Sequence, residues 1–244
     1  YLDNPNVVGR FASEDIIEVH FSNDYNHGLD SIELPSTMQS LTFGRYFNRD
    51  LDLRKFTDLA SLRLGDRFDS NLLLPDSLVY LAPGSRFNHK LENLPANLRH
   101  LTFPEGSSFK QPLVDLPKDL EILILGAYYP FALIIPDGVL VLHLGIYVPL
   151  KLPPGLLQLR FGGFFNSLIL PGFIPISVTN LHLGTRFNQP LGELPLGDLQ
   201  TLHVGPSFNQ YLLPGCFPNS LQDLTFGRDF NQTIKAGVLP IGLV

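Results

Sequence analysis

One cysteine in 244 residues rules out an internal disulfide, so the chain is not a stapled secreted scaffold. Charge is scarce too: Asp, Glu, Lys and Arg make up 16% of the residues and leave a net charge of −6. That balance argues against nucleic acid and against an anionic membrane as partners. No apolar run approaches the ~18 residues that a bilayer crossing needs. With no disulfide pair and no signal or membrane segment in the residues given, a cytoplasmic setting is favoured. Motifs of chemistry are missing as well. There is no G-x-G-x-x-G, no Walker loop, no H-E-x-x-H, no G-x-S-x-G and no paired cysteine motif, so the expectation is not an enzyme and no cofactor. The carboxylates Glu14 and Asp15 are adjacent and point apart. Asp66 and Asp69 lack the remaining ligands of a calcium loop, and Cys216 reads as a free thiol in a loop.

Glycine and proline, by contrast, are plentiful at 21 each and spread along the whole chain. They leave little room for long helices. They punctuate a repeat. Its cleanest copy runs Leu34, Pro35, Met38, Leu41, Phe43, Gly44, Phe47, Asn48, Leu51. The apolar residue before each glycine recurs as Phe21, Phe43, Leu64, Pro83, Phe103, Leu125, Leu144, Phe161, Leu183, Val204 and Phe226, at spacings of 17 to 22. A unit of about 20 residues cannot bury its own apolar face, so the copies must stack.

Within each copy a second apolar residue lies two before that anchor, from Val19 and Leu41 through Leu202 and Leu224. Apolar residues two apart around a mostly polar one indicate a short strand with one buried face. The Leu-Pro or Ile-Pro upstream favours extended backbone, and the glycine after the strand suits a tight turn with positive φ. About ten residues remain for the return, which fits extended or 3-10 segments better than α-helix. The fold class is therefore a leucine-rich-repeat-like solenoid, mainly β, with one parallel sheet of about eleven short strands. A cap segment is expected at 1–15, the solenoid at 16–234, and a partial repeat or tail at 235–244.

Five residues after most anchors stands Asn, preceded by an aromatic residue. Stacked aromatics form an internal spine. The Asn column, Asn26, Asn48, Asn88, Asn166, Asn188, Asn209 and Asn231, is expected inside, where it satisfies backbone groups of adjacent rungs. The sequon at Asn231 accordingly reads as a chance match. The block Phe187–Leu191, the Ile-Pro before Val178 and the Leu-x-x-Leu-x-Phe-Gly pattern resemble the FNIP repeat, a divergent leucine-rich repeat, over 16–234. The resemblance implies protein interaction and supplies no catalytic residues.

The exposed strand positions carry the candidate site. His143, Arg160, His182 and His203 occupy one column on four consecutive rungs, a basic stripe on an acidic chain. Ile122, Ile124 and Val141 form an apolar island beside it. Three readings stay open: a solvated strand face, a protein-binding face, or a metal site from His182 and His203. The leading expectation is a non-catalytic protein-protein interaction scaffold with a protein partner. The alternative is structural self-association through solenoid ends or edges, above all the C-terminal end.

Overall fold

A computed structural model describes residues 17–145, 151–192 and 197–243. The chain divides into two compact units, one through Gly126 and one from Ala127. The cap expected at 1–15 lies outside the described residues.

The first unit holds β1 (Glu18–His20), β2 (Ser40–Thr42), β3 (Leu51–Asp52), β4 (Ser61–Arg63), β5 (Leu72–Leu73), β6 (Tyr80–Ala82), β7 (His100–Thr102) and β8 (Ile122–Ile124). The second holds β9 (Val141–His143), β10 (Gln158–Arg160), β11 (Asn180–His182), β12 (Thr201–His203) and β13 (Asp223–Thr225). The eleven expected strands are all present, six in the first unit and five in the second, and the fold is a leucine-rich-repeat-type β-solenoid. Within each unit successive long-sheet strands pair in parallel, leucine against leucine: Leu41 with Leu62, Leu159 with Leu181, Leu181 with Leu202. Each strand is three residues long because its buried centre is followed almost at once by the inward anchor and the glycine turn.

The anchors and the spine fill the coil. Phe47, Phe68, Phe87, Phe187 and Phe208 are fully buried. Neighbouring spine rings stack rung on rung, 6.1 Å apart for Phe47 and Phe68 and 5.6 Å for Phe165 and Phe187. Each anchor ring stacks on the spine ring of its own copy, as Phe161 does on Phe165 at 3.9 Å.

The recurring glycine has a different cause from the expected one. Gly44, Gly65, Gly84, Gly162 and Gly184 are not among the residues with positive φ. A Cβ there would collide with the backbone of the preceding rung: Ser22 for Gly44, Gly44 for Gly65, Gly162 for Gly184. Close rung-to-rung approach selects glycine at these positions, and among the recurring glycines only Gly205 also has the expected positive φ, at +84°.

Two further features lie outside the expected pattern. Leu51 and Leu72 pair β3 with β5 in a small second parallel sheet. Ser77, Ser177 and Ser220, each two residues after a proline, donate from Oγ to carbonyls of the preceding rung, at 2.8 Å to Leu59, 2.7 Å to Leu156 and 2.9 Å to Leu199. These bonds occupy carbonyls that the coil would otherwise leave unpaired. Of the return segments, only Leu29–Ser31 forms a 3-10 turn among the described residues.

Candidate functional site

On β9 to β12 the parallel register sets His143 beside Arg160, Arg160 beside His182 and His182 beside His203. Strand spacing of ~4.8 Å leaves these side chains shoulder to shoulder. Arg160 is exposed, whereas the three histidines are half-buried. The rings of His182 and His203 stack, with centroids 4.2 Å apart and planes 20° off parallel.

His182 stands at the centre of this row. Burial against its neighbours, then the charges of His203, Arg160 and His143, push its pKa from 6.5 down to about 4. It is therefore a neutral imidazole at physiological pH, able to donate one hydrogen bond and accept another. The positive charge of the stripe rests first on Arg160. His182 and His203 meet face to face rather than converging on a shared point, and no group of three or more metal-ligating side chains occurs among the described residues.

The apolar candidates are half-buried: Ile122 and Ile124 at the two face positions of β8 in the first unit, and Val141 on β9 in the second. The first unit's strand face is built differently. The guanidinium of Arg63 lies 4.4 Å over the Tyr80 ring, and Tyr80 meets His100 edge to face. Thr102 donates to the Tyr80 hydroxyl at 3.3 Å. Beyond β1, β2 and β4 an open depression of about 650 Å³ is lined by Glu18, His20, Thr42, Arg45 and Asp66 among others.

The asparagines form a ladder. In all but Asn231 the Oδ1 accepts the backbone N–H at the same place one rung on: Asn26 from Asn48 at 2.8 Å, Asn48 from Asp69 at 2.8 Å, Asn166 from Asn188 at 2.8 Å, Asn188 from Asn209 at 2.9 Å, Asn209 from Asn231 at 2.9 Å. Asn88 accepts from Lys110 at 2.7 Å. The column is not interior, however. Asn26, Asn88, Asn188 and Asn209 are half-buried, and Asn48, Asn166 and Asn231 are exposed. The preceding aromatic takes the inward position, and adjacent residues of extended chain point apart. Burial therefore does not shield the sequon at Asn231. Sequence reasoning missed the glutamines that follow. Gln210 and Gln232 donate from Nε2 to Oδ1 of Asn188 and Asn209, at 3.0 and 2.9 Å, and the recurrent Asn-Gln pair was the available signal.

Cys216 is a free thiol in a turn segment, as expected, but it is buried, and burial raises its thiol pKa. At the last described rung Leu224, Phe226 and Phe230 are half-buried, against full burial of Leu202, Val204 and Phe208 one rung earlier. Val238 packs inside, while Leu239 and Ile241 stay exposed.

Short parallel strands, inward leucines and an asparagine ladder define a leucine-rich-repeat protein. The FNIP Repeat model matches residues 87–128, 147–186, 165–195 and 208–244, together more than half of the chain, and the chain belongs to that family. Among solved structures it resembles CroV588, described as a novel circular LRR protein, with a TM-score of 0.75 and 31% identity over 93% of this chain and 39% of that one. It also shares its fold with YopM from Yersinia enterocolitica WA-314, at a TM-score of 0.62 and 22% identity over 87% of this chain and 51% of YopM. A curated relative, the probable serine/threonine-protein kinase fnkB of Dictyostelium discoideum, is 38% identical over 93 residues. That match spans 36% of this chain and 17% of the kinase. The chain thus covers well under two thirds of each relative. No helix among the described residues is long and apolar enough to cross a membrane.

Proposed function

We propose that the chain is a non-catalytic scaffold that binds a protein partner on the strand face of β9 to β12. One observation carries this reading: four adjacent strands present Arg160 within a row of three histidines, two of them stacked, on strands whose central leucines point into the core. Ordered polar groups on a stiff sheet lose little freedom when a partner docks. Arg160 supplies a charge, and neutral His182 supplies hydrogen bonds without a repelling second charge. Leucine-rich-repeat folds commonly serve as interaction scaffolds, which supports the same reading. Replacing His143, Arg160 and His203 together with Ser should leave the urea midpoint nearly unchanged and reduce retention of protein partners on the immobilised chain at least about fivefold. Equal retention by parent and triple variant would move binding off this face.

A second reading rests on the last described rung. The half-buried Leu224, Phe226 and Phe230, with β13 paired on one side only, favour end-on stacking of copies. Such stacking propagates, so light scattering would show mass rising without a plateau as concentration increases. A mass that stays constant would remove this reading.

A further inference from the structure

We propose that the flank formed by Leu168, Leu170, Tyr211 and Leu213 in the second unit is a self-association face, on which a second copy of this chain docks through the same residues. This goes beyond the strand-face reading and uses a different surface. Leu168 and Leu170 flank inward Ile169, and Tyr211 and Leu213 flank inward Leu212. Where the middle residue enters the core, its neighbours must face water. The four are accordingly 55%, 62%, 80% and 70% exposed.

The fold does not require apolar residues there. In the first unit the same places around inward Leu51 are Asp50 and Asp52, and around inward Leu91 they are Lys90 and Glu92. Between the two apolar pairs lies a rung with Pro190 and Gly192 at these positions, so the patch spans two rung steps, ~10 Å. The four side chains leave on the order of 500 Å² of apolar surface in water, toward the upper end for a single patch on a monomer.

The occupant follows from charge and area. A two-fold contact presses identical surfaces together, so charges near its axis meet their own copies. Residues 161–185 and 199–222 contain no Asp, Glu, Lys or Arg, so the two stretches that carry the patch bring no such repulsion, and the rung between them adds only Arg186, Glu193 and Asp198. The patch falls short of the roughly 800 Å² per partner of a standard interface, so the dimer is a dissociating one. It also closes at two copies, unlike end-on stacking.

Sedimentation equilibrium of the 244-residue chain from about 1 to 100 μM tests this. The expected result is a mass rising from 27.2 kDa toward twice that value and levelling there. Leu170→Asp with Leu213→Glu should weaken association at least tenfold, and the milder Tyr211→Lys should weaken it measurably should the double variant fold poorly. The His143, Arg160 and His203 triple change should leave it intact, which keeps failure here distinct from failure of the strand-face reading. A monomer across the whole range, growth past two copies, or a dimer untouched by both flank variants would overturn the proposal.

Discussion

The two units are built from the same repeat and differ in what they show to water. The residues through Gly126 carry 12 basic and 18 acidic side chains, and those from Ala127 carry 5 of each. In the first unit the charges meet one another at the surface: Arg54 with Asp52 at 2.6 Å, Arg45 with Asp66 at 3.8 Å, and Arg99 with Glu121. Exposed pairs of this kind contribute about 0–1 kcal/mol each. They keep a surface polar more than they hold a fold together. In the second unit the places of Asp50, Asp52, Lys90 and Glu92 hold Leu168, Leu170, Tyr211 and Leu213. Inward positions barely change between the units, because stacking dictates them. The outward ones are free, so contrasts there point to what each surface meets.

The largest effect should come where the units agree. Phe68→Ala and Phe187→Ala each empty a fully buried spine position and should each cost about 3–5 kcal/mol in urea unfolding. A markedly smaller loss at either site would show that the spine does not support both units alike. Gly65→Ala and Gly184→Ala push a methyl group into the carbonyl of the rung before and should cost about 1–3 kcal/mol. Were positive φ the reason for glycine, Asn would rescue these sites better than Ala. The close approach predicts that Asn is no better.

Asn188→Ala removes the acceptor for the Asn209 N–H and for Gln210 Nε2. Because the site is half-buried and water can partly substitute, the loss should be about 1 kcal/mol, at the low end for an orphaned donor. A loss as large as that of Phe187→Ala would place the ladder in the core.

The smallest effect is the pH signature of the second unit. His182 has its pKa lowered to about 4, so the folded chain resists the proton that the unfolded chain accepts near 6.5. Its neutral form favours folding fully above pH 6.5, and that advantage is lost as pH falls toward 4. His182→Gln should therefore lose less stability than the parent between pH 6.5 and 4.5, by urea midpoints. Identical pH profiles would mean that His182 is not desolvated.

Much of the fold was legible because a stacking repeat writes its core at fixed spacing. Val19 and Phe21, or Leu202 and Val204, state both the strand and its inward face. The β3–β5 sheet was harder to read, since its pairing spans two residues and only Leu51 and Leu53 alternate, whereas Leu72-Leu73-Leu74 is apolar throughout. Aromatic-then-Asn marks two adjacent positions, and only one of them can face inward. The backbone decides for the ring and leaves Asn at the surface. The row His143, Arg160, His182 and His203 could be read as one column, but the stacking of His182 on His203 depends on rotamers that spacing does not encode. The flank escaped notice for a related reason. Leu168-Ile169-Leu170 is apolar throughout, and the run does not say which residue turns in.

The sharpest test of the claim that core positions hold the fold while outward positions serve contact is a transplant between the units. The variant Leu168→Asp, Leu170→Asp, Tyr211→Lys, Leu213→Glu gives the second unit the flank residues found at 50, 52, 90 and 92. Its urea unfolding midpoint should match the parent to within about 0.5 kcal/mol of stability, the usual range for surface changes. A loss of the size expected for Phe187→Ala would contradict the account, because those outward side chains would then belong to the fold.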